Sequence, residues 1–217
     1  MPDRLKPSSA RPASRGARPP SAAAACVRFG LACLLAAALP SAAAAHVLGG
    51  PMGGFGSGFG HPLAGFDHFL AMLAVGLWGA QMGGRAVWTL PATFPLIMCV
   101  GGVAGMLGLM PDETIRIAIA LSLVVLGGVI AARWVAPEWA ALIIVAFFAV
   151  FHGYPHGQLT LRASDPAAFT VGFVVSTGAI HILGIAVGLG LNRVWNGALV
   201  RGLGAAIAAA GFFFLLQ

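Results

Sequence analysis

Charge is scarce in this sequence. Only 8% of its 217 residues are charged while 59% are hydrophobic, and a soluble domain could not cover itself with so few polar groups. That excludes an ordinary water-soluble protein and leaves a membrane protein. Acidic residues number six against twelve basic ones, a net charge of +6. The excess does not make a nucleic-acid surface. Arg4, Lys6, Arg11, Arg15, Arg18 and Arg28 crowd the first 28 positions, and the remaining basic residues are scattered singly.

Cysteine is almost absent. Of the three present, Cys26 and Cys33 fall in the expected leader, so Cys99 alone remains and no disulfide framework can form. It sits in an apolar stretch and reads as an inert core residue. Reactive motifs are missing too: no GxxxxGKS/T loop to hold ATP, no HExxH helix, no recognisable nucleophile. ATP-driven transport by this chain and intramembrane proteolysis are disfavoured, and no enzymatic activity is expected.

What is present is apolar and punctuated. An Arg/Pro-rich leader, the short run "FGLACLLAAALP" and the small-residue stretch "SAAAA" read as a signal peptide over 1–45, cut after Ala45. Positions 46–61 are Gly-rich without apolar periodicity and read as a flexible extracytoplasmic segment. Within 62–217, hydrophobic spans are expected at 62–80, 88–108, 114–133, 137–153, 167–191 and 196–216. The fold class is thus an all-α integral membrane protein, a six-helix transmembrane bundle following a cleaved signal peptide. No fixed-period repeat is visible. Stretches such as "GGVAGMLG" and "GLGAAIAAAG" suit close helix packing, because in lipid the packing itself must hold helices together.

A signal peptide would leave the mature N-terminus extracytoplasmic in a bacterial inner membrane. Arg85, Arg133, Arg193 and Arg201 then fall on the cytoplasmic side, with Arg116 and Arg162 as exceptions. Trp78, Trp88, Trp134, Trp139 and Trp195 fall near the same ends, where amphipathic rings belong.

All six histidines lie beyond position 45, and five map to the outer side: His46, His61, His68, His152 and His156. "HPLAGFDHFLAM" puts His61 and His68 on nearly one helix face, about 10.5 Å apart along the axis. Asp67 points about 100° away from His68. It either turns toward a second helix or fixes an imidazole tautomer from behind. Met72, one turn below, could offer a thioether. In "FHGYPHGQL", His152 and His156 are four apart, but Gly153, Pro155 and Gly157 predict that the helix breaks there. Together these groups suit a late divalent metal, Ni²⁺, Co²⁺, Zn²⁺ or Cu²⁺. His181 lies deeper, as an interhelical hydrogen-bond partner or a further ligand. His46, with a free α-amine after cleavage, would chelate through two nitrogens. A different reading is a haem-binding electron carrier with bis-His ligation by His68 and His152 or His181.

The stretch "HPLAGFDHFLAMLAVGLWGAQ" closely resembles the first-helix signature of the HupE/UreJ family of small nickel permeases, associated with hydrogenase or urease maturation. Its motif is a His, five residues, then Asp-His: here His61, Asp67 and His68. "FHGYPHGQL" is similar to the family's second motif, two His-Gly pairs before an acidic residue. The likeness covers essentially the whole mature chain. It implies Ni²⁺, or Co²⁺, as transported substrate with no permanently bound cofactor. The metal ion and membrane lipid are the expected partners, with a homo-oligomer allowed and the downstream nickel chaperone or enzyme unspecified. Two positions depart from the pattern: Pro155 replaces the usual Ala, and Leu159 stands where Glu is expected. The second removes a hard ligand or counter-charge.

Overall fold

The computed structural model describes residues 53–217. The signal peptide, the cut after Ala45 and His46 lie outside the described residues. Among those described there are seven α-helices and no strand: α1 Gly53–Ala64, α2 Phe66–Met82, α3 Ala86–Met106, α4 Asp112–Ala131, α5 Glu138–Thr160, α6 Pro166–Asn192 and α7 Ala198–Leu215. Helices α3 to α7, the last together with the short turn Val194–Gly197, are each long and apolar enough to cross a membrane. The pair α1 and α2, bent by 77°, would make a sixth span if it crosses as one. The chain is a multi-pass helical membrane protein.

Two expectations about backbone fail for the same reason. The Gly-rich stretch is helical from Gly53, because Gly54 and Gly58 bring α1 directly onto the backbone of Asp165 and Phe169 at the start of α6. Tertiary contact thus supports a helix of poor intrinsic propensity. Likewise α5 does not break at Gly153 but runs through Pro155 to Thr160. Gly153 and Gly157 press on the backbone of Met98 and Gly102 in α3, and Thr160 returns a hydroxyl to the carbonyl of His156 at 2.8 Å. Proline is tolerated in such a helix when neighbours hold it in place.

Helix α2 is the centre of the bundle, touching α1, α3, α4, α6 and α7. From Met72 to Ala80 every residue except Leu73 is buried, so it is apolar all round, as a helix with no outer face must be. Trp78, expected at an interface, is fully buried there, stacks on Trp134 and donates its indole N–H to that residue's carbonyl at 3.1 Å. Trp88, Trp139 and Trp195 are exposed at the ends of helices. The tight connection to α3 needs left-handed backbone at Gly83 (φ 75°) and Gly84 (φ 55°), which glycine supplies without a Cβ clash.

The close helix contacts repeat in a regular way that the linear sequence conceals. Gly184 meets Leu73 as Gly101 meets Val150; Gly188 meets Leu77 as Gly105 meets Tyr154; Gly76 meets His181 as Gly153 meets Met98. Gly127 meets Gly204 and Ala208 as Gly211 meets Ala120 and Val124. Each correspondence keeps a constant offset within its helix pair. The unit α2 to α4 therefore matches the unit α5 to α7: α2 with α5, α3 with α6, α4 with α7. Contact order shows α2 parallel to α6, and α3 parallel to α5, so the two units run in opposite directions. This is an inverted-topology repeat, an architecture of secondary transporters. Only backbone approach and a few glycines carry it, which is why no period appears in the sequence.

Candidate metal centre

The break at Gly65, where the backbone turns extended (φ −82°, ψ 95°), decides the geometry of the first motif. On a straight helix His61 and His68 would be separated along the axis; the bend brings both against α5 instead. Four imidazoles then form a chain. His61 meets His156 at 5.0 Å between ring centroids, His156 meets His68 at 4.7 Å, and His68 meets His152 at 4.9 Å, all edge to face. His68, His152 and His156 are buried and His61 is half-buried. Phe173 closes the side of His156 at 4.2 Å.

Hydrogen bonds fix the protonation pattern of two of these rings. Asp67 Oδ1 accepts the backbone N–H of His68 at 2.8 Å and stands 2.9 Å from its Nδ1. A carboxylate can only accept, so Nδ1 carries a proton, and it is Nε2 that is left to present a lone pair to a metal. Asp67 thus lies within hydrogen-bond reach of the imidazole beside it. Ser122 does the same for His152 by a different route. Its hydroxyl donates to the carbonyl of Ile119 at 2.6 Å, so toward His152 Nε2, at 2.9 Å, it accepts. Nε2 is therefore the protonated nitrogen and Nδ1 holds the lone pair.

Both lone-pair nitrogens, His68 Nε2 and His152 Nδ1, are buried without a partner, as are both ring nitrogens of His156. Leaving such a group unsatisfied costs about 1–3 kcal/mol. A cation that accepts these lone pairs would recover it. Among the described residues no three His, Cys, Asp or Glu side chains already surround one point. Capture thus requires the rings to rotate inward, which suits a transient site. A cavity of about 360 Å³ lies beside Asp67, lined by Phe66, Arg116, Ile119 and Gln217 among others. Arg116 at its mouth is bound bidentately by Glu113 at 2.7 and 3.2 Å, which offsets its repulsion of an incoming cation.

Residues 33–214 match the family described as HupE / UreJ protein. The chain belongs to the HupE/UreJ family. It is also 40% identical over 185 residues to Protein HupE of Rhizobium leguminosarum bv. viciae, a match spanning 84% of this chain and 95% of that protein. No solved structure gives a significant match.

In this HupE/UreJ member the structure gathers His61, Asp67, His68, His152 and His156 into one cluster. His181 is apart from them, on the far side of Phe94, whose ring is 5.4 Å from both His152 and His181. Met72 is fully buried in the apolar core. Leu159 lines a separate cleft of about 110 Å³ with Gly54, Ser57 and Arg162, and no histidine borders it. Ser122 and Phe94 escaped the sequence reading, since a serine and a phenylalanine inside apolar runs carry no signal until a partner helix is placed against them. Cys99, expected in the core, is exposed on α3.

Proposed function

We propose that this protein is a secondary permease that takes up Ni²⁺, with Co²⁺ as second substrate, across the bacterial inner membrane for hydrogenase or urease metallocentre assembly. The observation that carries the reading is the set of buried imidazole lone pairs at His68 and His152, each with its other ring nitrogen tied down. Around them, His61, His156 and Asp67 complete a site with nitrogen donors for a borderline metal and one carboxylate to offset its charge. A site that must release its ion benefits from donors that are near but not converged. In this reading α1 and α2 cross as one broken span, giving six spans after a signal peptide over 1–45, with the mature N-terminus and His46 outside. The membrane potential supplies the drive, roughly 2.3 kcal/mol per charge per 100 mV. The chain catalyses no reaction.

Haem fits less well. Axial imidazoles lie on opposite faces of a planar macrocycle, whereas His68 and His152 touch edge to face.

Cells lacking other nickel importers should accumulate ⁶³Ni²⁺ when they express the intact protein. No accumulation above the empty-vector background, at confirmed membrane abundance, would reject the permease. Ser122→Ala isolates the orientation of His152: it removes the acceptor for Nε2–H while leaving all imidazoles in place. Uptake should fall by about 10–100-fold, the usual effect of losing a group that orients a metal ligand. An unchanged initial rate would show that the tautomer of His152 is immaterial.

A further inference from the structure

His181 repeats the arrangement of His68 at a different depth. Its Nδ1 is 2.8 Å from the backbone carbonyl of Thr177. A carbonyl only accepts, so Nδ1 carries the proton and Nε2 presents a lone pair. That Nε2 is buried without a partner, and so is the hydroxyl of Thr177, one turn earlier on the same helix face. His181 is 2% exposed and Thr177 0%, so neither group faces bulk solvent. A histidine serving only to lock two helices would donate or accept across the interface through its second nitrogen. This one spends its hydrogen bond on its own helix and leaves the metal-binding lone pair free.

The inverted repeat says where this lies. The matched contacts pair Met98 with His181, and Phe94, one turn earlier, with Thr177. Helices α3 and α6 are thus equivalent, and the place where they touch is on the pseudo-two-fold axis between the units. Phe94 against His181, at 5.4 Å, is such a contact. In inverted-repeat transporters this axis lies in the membrane plane, and the substrate site sits there at mid-depth.

We infer that His181 Nε2 and Thr177 Oγ1 form a second, mid-membrane binding position for a partly hydrated late divalent cation, separated from the outer histidine cluster by the ring of Phe94. This rests on the permease reading and supplies its next step inward. One imidazole and one hydroxyl replace only part of the ion's shell, so the position binds weakly and can release. Thr177 is its sequence-invisible half: a threonine in an apolar span acquires this role only through the histidine one turn away.

The test is ⁶³Ni²⁺ binding at equilibrium to the full-length protein in lipid nanodiscs, beside ⁶³Ni²⁺ uptake into proteoliposomes. The intact protein should bind two ions per chain with distinct affinities. His181→Ala should lose one ion and retain the class that His68→Ala abolishes. Thr177→Val keeps the shape and the carbonyl that holds His181, and should weaken the deep class by about 10–100-fold. If His181→Ala does not fold, Thr177→Val decides alone. Intact protein that transports nickel but binds a single ion, lost in His68→Ala and kept in His181→Ala, overturns the deep position and leaves the permease standing. So does Thr177→Val with unaltered binding. Intact protein that neither binds nor transports nickel overturns the permease, and this inference with it.

Discussion

His68→Ala is expected to abolish nickel uptake, and Asp67→Asn to reduce it by about 10–100-fold, at unchanged membrane abundance. The alanine variant removes the imidazole that touches both His152 and His156, so it cuts the chain of rings at its middle. Asparagine is the sharper probe. Its amide oxygen can still accept from the His68 backbone N–H and from Nδ1–H, so ring orientation survives. What disappears is the negative charge that offsets that of the ion. A fall in uptake with intact folding therefore measures charge rather than position. Asp67→Asn that transports at the wild-type rate would reduce Asp67 to a helix-start hydrogen-bond acceptor.

Gly157→Val should cost more than about 3 kcal/mol of stability and silence transport. Overpacking a tight interface costs roughly 1–3 kcal/mol, and more where nothing can yield. Here nothing yields, because even the first added carbon would strike the Gly102 carbonyl, which is backbone rather than a flexible side chain. Gly101, Gly105 and Gly153 make equally close contacts along the same crossing of α3 and α5, so the helices must part as a whole and forfeit their dispersion contact. His152 and His156 ride on α5 and would be displaced from His68. Gly128→Val is the control: nothing lies within 4 Å of its added carbon, and the effect should stay within about 0.5 kcal/mol. Thermal unfolding in detergent separates the two. Equal midpoints would mean that the α3–α5 contact can yield without loss of stability.

The sequence by itself determined the solvent and the chemistry. Too few charges for a water-facing surface, and apolar runs of spanning length, dictate a helical membrane protein. Histidines and an aspartate kept within such runs, at a cost lipid imposes on each, are what point to the proposed metal path. Tertiary structure decided the rest, and the reason is physical. In a membrane both the core and the lipid face of a helix are apolar, so periodicity cannot say which way a residue points; for that reason the outward face of Cys99 and the burial of Trp78 are invisible in the sequence. Glycine and proline read as breakers because local propensity is all a linear chain displays, yet the backbone contacts of Gly54, Gly58, Gly153 and Gly157 turn them into packing surfaces. The bend at Gly65 joins His61 to His156, and Ser122 sets the proton on His152. Each is a relation between atoms distant along the chain or set by its fold, and only the packed helices bring them together.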